Sequence, residues 1–247
     1  MIRDSHGAPD SAALVVTGGG RGIGAQIAVR AARNGTPVAL IYWSRPDNAA
    51  RVVGEIEAAG GQAMAIHADV GSEADVAGAF TAVDAAFGPI GGLVNNAVLA
   101  GPPRRLAELP ASELDEVFRT NVFGAFLCSR EAAKRLSTKN GGGGGGIVTL
   151  SSAHAVNTGA PGNWVHFAAS KAALETMSRG LAQGHGKVVF MQPEAASACA
   201  GGRGRGDGWR RRCWRGRPRR SRLMARLRSV VITRGAFPVL TSDLSSW

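Results

Sequence analysis

The sequence predicts an α/β fold: a doubly wound parallel sheet with helices on both faces. Apolar runs of strand length alternate with segments of helical period along most of the chain. A glycine-rich turn, Thr17-Gly18-Gly19-Gly20-Arg21-Gly22-Ile23-Gly24, joins the first apolar run to the first helical segment. The length, 247 residues, suits one domain with a substantial core.

Residues 12–16 read as a strand buried on both faces. The helix after the turn repeats Ile23, Ile27, Ala28 and Ala31 at helical spacing, which predicts that these face the core. Residues 37–42 are the second strand, and a helix over 48–59 ends at Gly60-Gly61. A third strand spans 62–67, and the next helix, 73–87, stops at Gly88-Pro89. Residues 92–95 are the fourth strand. A long helix covers 112–136 with a break near Asn121, and Ser112 with Asp115 gives it a capping-box pattern. Six glycines at 141–146 cannot hold regular structure and predict a mobile surface loop. Residues 147–150, 164–181 and 187–191 complete the pattern as strand, helix and strand, ending before Pro193. Residues 1–194 thus form a dinucleotide-binding unit. Residues 195–247 form a divergent Arg/Gly-rich segment expected to be poorly ordered, with 229–233 as an isolated strand at most.

Composition narrows the function. No apolar run approaches the roughly 20 residues of a membrane span, and the first residues lack the apolar core of a secretory signal. Cys128, Cys199 and Cys213 have no metal or disulfide spacing and read as reduced thiols, so the expected location is cytoplasmic. The net charge of +11 is local: residues 203–234 hold 13 arginines and one acid, Asp207, and the rest of the chain is near neutral. Two readings of that segment stand. Its arginines, interleaved with Trp209 and Trp214, can bind single-stranded nucleic acid. Its composition is also that of a shifted reading frame in GC-rich DNA, and this reading is preferred because no nucleic-acid fold accompanies the charge.

The glycine turn carries the chemistry. Residues without Cβ let backbone N–H groups approach a pyrophosphate, and the helix that follows adds the partial positive charge of its N-terminus. Gly18, Gly22, Ile23 and Gly24 are therefore candidate coenzyme contacts. NAD-preferring folds place an acid at the end of strand two, where it bonds the ribose 2′-OH. Here that place reads Tyr42-Trp43-Ser44-Arg45, with no carboxylate. Arg21, Ser44 and Arg45 can instead hold a 2′-phosphate, which favours NADP over NAD, although Arg45 also reads as a solvated loop residue.

The T-G-x-x-x-G-x-G turn, Asp69-Val70, Asn95-Asn96-Ala97, Asn121, Ser152 and Lys171 occur in the order and spacing of the short-chain dehydrogenase/reductase family, which residues 12–193 resemble. The resemblance implies a Rossmann-like sheet whose closing strand is lost or altered here. It implies adenine contacts by Asp69 and Val70, bracing of the sheet by Asn95 and Asn96 with Ala97 beside the coenzyme, a water-holding role for Asn121, and a hydrogen bond from Ser152 to the substrate oxygen. Asp69 also reads as a helix N-cap, although Ser72 suits that place better. Val98 stands where the family has glycine, and Glu194 replaces the glycine after Pro193.

The family's Tyr-x-x-x-Lys places both side chains on one helix face. The lysine lowers the tyrosine pKa and holds the nicotinamide ribose, and the tyrosine exchanges a proton with the substrate oxygen. Here the segment is Phe167-Ala168-Ala169-Ser170-Lys171: the lysine is present and the tyrosine is not. Tyr42 is the sole tyrosine and lies at the adenosine end. His166 is turned about 100° around the helix, and His154 lies near Ser152. The resemblance therefore implies hydride exchange between NADP(H) and a small carbonyl or alcohol substrate, impaired at Phe167. The alternatives are an inactive NADP-binding protein and, less favoured, a nucleic-acid binder. The family's habit of pairing through its long helices makes a homo-oligomer a further expectation.

Overall fold

The computed structural model describes residues 12–152, 155, 162–184 and 188–191. Six parallel strands run β1 (Ala13–Thr17), β2 (Val38–Tyr42), β3 (Ala63–His67), β4 (Ile90–Asn95), β5 (Gly146–Leu150) and β6 (Val188–Met191). Their order across the sheet is β3-β2-β1-β4-β5-β6. Strand order reverses between β1 and β4, which opens a crevice at the carboxyl ends of those strands.

Alternation along β1 divides the core in two. Ala13 and Val15 pack on one face with Val76, Phe80 and Val83 of α3 (Glu73–Phe87) and with Cys128 and Ala132 of α5 (Gly124–Leu136). Leu14 and Val16 pack on the other face with Ala25, Ala28 and Val29 of α1 (Gly22–Arg33) and with Val52 and Ile56 of α2 (Pro46–Ala58). Strands β1, β2 and β4 are buried almost throughout, which is why they read as continuous apolar runs. Cys128 is fully buried, and burial pushes its thiol up to about 12, so it is inert at neutral pH.

Four expectations change. Ile23 is 44% exposed; the buried face of α1 is Gly24, Ala25, Ala28, Val29 and Ala32, one residue around from the expected stripe. The Ser112–Asp115 cap does not form, because α4 (Ala111–Phe118) starts after Pro110, whose fixed φ suits a helix start without a side-chain cap. The reciprocal cap forms instead at Ser72 and Asp75 of α3. The predicted break near Asn121 is a π-helical turn, Arg119–Phe123, between α4 and α5. The glycine run is a packed return that ends in regular structure: Gly142 and Gly144 donate to Ser137 and Leu136 carbonyls, a Cβ at Gly145 would strike Gly91 and Leu136, and buried Gly146 opens β5 opposite Gly92. The last described helix, α6 (Val165–Gly184), packs on α5 through Ala125, Leu174 and Met177. The segment 195–247, with the 229–233 strand, His154, Cys199 and Cys213, lies outside the described residues.

Candidate coenzyme and catalytic site

The glycine turn is locked from the neighbouring strand. Thr17 Oγ1 donates to the Val94 carbonyl and accepts from the backbone N–H groups of Asn96 and Ala97, each at 3.0 Å. Asn96 Nδ2 donates to the Thr17 and Gly18 carbonyls at 2.9 and 3.0 Å. Two glycines here have a structural requirement. Gly18 adopts φ +65° with Ala97 against it, and a Cβ on Gly24 would run into Asn96 Nδ2 and the Gly18 carbonyl oxygen. Gly22, at φ +58°, faces open space. Arg21, Gly22 and Ile23 are exposed, so the turn presents its backbone to the crevice.

Asn95 is buried. Its Nδ2 donates to Ser129 Oγ at 2.9 Å and Thr149 Oγ1 at 3.4 Å, so its side chain ties β4 to α5 and β5. Asn96, expected only to brace the sheet, is the residue that grips the turn. Val98 is 48% exposed and keeps an ordinary φ; the chain passes it without the positive φ that would require glycine.

At the end of β2, Ser44 and Arg45 are exposed, and Arg45 is the sole non-glycine with positive φ among the described residues (φ 62°). It is the N-cap residue of α2 and immediately precedes Pro46, the first residue of that helix. Beyond β3, the Asp69 carboxylate accepts from the Gly71 N–H and pairs with Arg119 of the π turn, while the Asp69 N–H donates to Asp75 Oδ2. That bond and the Ser72 hydroxyl hold Asp75 below the ordinary carboxylate range.

Asn121 is almost completely buried. Its amide accepts from Leu99 N–H at 2.7 Å and donates to Leu99 O at 2.8 Å and Ser170 Oγ at 2.9 Å. It is thus a brace between the loop after β4 and α6, and Ser170, a residue the motif does not single out, receives it. Lys171 is 4% exposed, and Nζ donates to the Leu150 carbonyl at 2.8 Å. Burial lowers its pKa to about 8. The Phe167 ring lies 5.9 Å from that ammonium, as the i, i+4 spacing requires. Ser152 stands half-buried at the end of β5. His166 does not replace a phenol: it is buried, with Nε2 against the Ala100 carbonyl at 3.2 Å.

The parts so assembled define a dinucleotide-binding α/β protein with an oxidoreductase-type helix beside its crevice. The family model for short chain dehydrogenase matches residues 12–193. The chain is 43% identical over 170 residues to an uncharacterized oxidoreductase, YgfF, of Escherichia coli, a match covering 69% of this chain and 68% of that protein. It is 38% identical to an NADPH-dependent aldehyde reductase-like chloroplastic protein of Arabidopsis thaliana, covering 68% of this chain and 65% of that one. A short-chain dehydrogenase from Burkholderia cenocepacia, solved in complex with NADP, superposes with a TM-score of 0.67 at 36% identity, covering 73% and 72% of the two chains. This chain belongs to the short-chain dehydrogenase/reductase family. The matches span about two thirds of the relatives' own length. No helix among the described residues is long and apolar enough to cross a membrane.

Proposed function

We propose that the chain binds NADP and belongs functionally among carbonyl and alcohol oxidoreductases, with turnover limited at Phe167. The observation that carries this is the pairing of an open, fully braced glycine turn with a buried Lys171 that faces a phenyl ring. The donor set fits a phosphorylated dinucleotide: exposed backbone at Gly22, and exposed Arg21, Ser44 and Arg45 with no carboxylate at the end of β2. The NADP complex of the Burkholderia relative and the NADPH dependence named for the Arabidopsis relative support that preference.

Bound NADPH supplies the hydride. Gly18, Gly22, Ile23 and Gly24 would hold its pyrophosphate side, Arg21, Ser44 and Arg45 its 2′-phosphate, and Asp69 and Val70 its adenine. Asn95 would act by tying β4 to Ser129 and Thr149, Asn96 through the turn backbone it fixes, and Ala97 lies against the turn. Lys171 would hold the ribose hydroxyls, and Ser152 would donate to the substrate oxygen. At position 167 there is no O–H to complete the proton transfer. Loss of a general acid removes a factor of about 10²–10⁴ in rate.

The test is NADPH oxidation with a panel of small ketones and aldehydes, by the wild type and by Phe167→Tyr. Slow wild-type turnover that rises at least about tenfold in the variant is expected. Wild-type rates equal to those of the variant would refute the impairment. Phe167 also favours a second reading, a protein that binds NADP without turnover; binding with no activity even in the tyrosine variant would establish it. A cytoplasmic location is proposed from the thiols. Pairing of two copies through α4 and α5 is supported by Phe123 and Phe126, which are 60% and 50% exposed there.

A further inference from the structure

Trp43 is 63% exposed, an uncommon state for a tryptophan, and nothing above uses it. It is nevertheless held. Its ring stacks on His67 with centroids 5.1 Å apart and planes 15° apart. His67 Nε2–H donates to the Trp43 carbonyl at 2.9 Å, which fixes the imidazole tautomer and the plane on which the indole rests. Tyr42 leans on the same imidazole at 5.5 Å. One indole face is therefore covered, and the exposure belongs to the other.

The place of this stack is specific. Trp43 immediately precedes Ser44 and Arg45 at the carboxyl end of β2. His67 ends β3 two residues before Asp69, and the Asp69 N–H donates to Asp75 Oδ2. Trp43 thus adjoins the residues suited to a 2′-phosphate in the chain, and the imidazole it stacks on lies two residues before the carboxylate assigned to adenine.

We propose that Trp43, positioned by His67, is the platform on which the adenine ring of the coenzyme stacks. This rests on the coenzyme reading above and adds a different kind of recognition. A charge at Arg45 reads the 2′-phosphate alone, whereas an aromatic face reads the purine of NADPH and NADH alike. The ring is ordered before the coenzyme arrives, so little side-chain freedom is lost on binding.

The experiment is titration of the full chain and its variants with NADPH and with NADH, followed by nicotinamide fluorescence. Trp43→Ala is expected to weaken both coenzymes about tenfold, Trp43→Phe to retain most of the affinity, and His67→Ala to fall between. Arg45→Ala is expected to weaken NADPH alone. A second readout covers a Trp43→Ala chain that fails to fold: 2′-phosphoadenosine 5′-phosphate, which lacks nicotinamide, should quench tryptophan emission in the wild type and much less in Trp43→Phe. Unchanged affinities in Trp43→Ala, a loss confined to NADPH, or equal quenching in both proteins would overturn the proposal and leave the coenzyme reading standing. A wild type that binds neither coenzyme would remove both.

Discussion

The two ends of the crevice differ in how much of their chemistry is present. At the coenzyme end, Thr17, Gly18, Asn96 and Ala97 are joined by hydrogen bonds, and Gly18 and Gly24 sit where a Cβ has no room. At the catalytic end, Lys171 is buried and anchored on Leu150, but the ring it faces carries no oxygen. The scaffolding there is intact: Asn121 and Ser170 still hold α6 to the loop after β4. Phenylalanine has nearly the ring volume of tyrosine, so on the proposed function packing tolerates the change and only the proton transfer would lose a group. The fold and the reaction therefore depend on different atoms of the same side chain position.

Breaking the intact end should have the largest effect. Gly24→Ala drives a methyl into Asn96 and Gly18. A stability loss of about 1–3 kcal/mol is expected, together with at least about tenfold weaker NADPH binding. Urea denaturation and coenzyme titration measure the two; wild-type values in both would show that the turn is not braced as described.

The catalytic end is sharpened by pH. The Lys171 pKa falls from 10.5 to about 8 in the folded chain. Below that value the buried ammonium is charged at a cost to the fold. As pH rises from about 8 toward 10.5, the folded chain has released the proton that the unfolded chain still binds, so stability rises relative to Lys171→Met, by up to about 3 kcal/mol. Paired urea midpoints over that range test the sign. A flat difference would mean that the lysine is solvated.

Smaller effects are expected outside the crevice. Arg119→Ala removes the Asp69 pair, whose arginine side chain is 58% exposed, and should cost less than about 1 kcal/mol in thermal unfolding. Phe123→Ser with Phe126→Ser should lower the association state in light scattering while leaving the folded protomer unchanged.

The sheet was legible because its central strands are buried on both faces, and boundaries moved by only a residue or two between pattern and structure. The coenzyme turn was legible for the same reason: glycine, strand and helix are adjacent in sequence. The sequence did not reveal partners distant along the chain. Asn96 grips a turn 78 residues earlier, and Ser170 meets Asn121 across 49 residues. Local patterns also misled: Ile23 fits a helical stripe yet is 44% exposed, and Pro110 caps α4 where the pattern pointed to Ser112. The His67–Trp43 stack joins two strand ends that no spacing rule connects.

The separation of binding from chemistry is tested most directly by titrating the wild type and Phe167→Tyr side by side with NADPH and NADH. The same saturable curve is expected for both proteins, with NADPH the tighter coenzyme. Binding that is absent from both, or that emerges only once the phenol is restored, would contradict it.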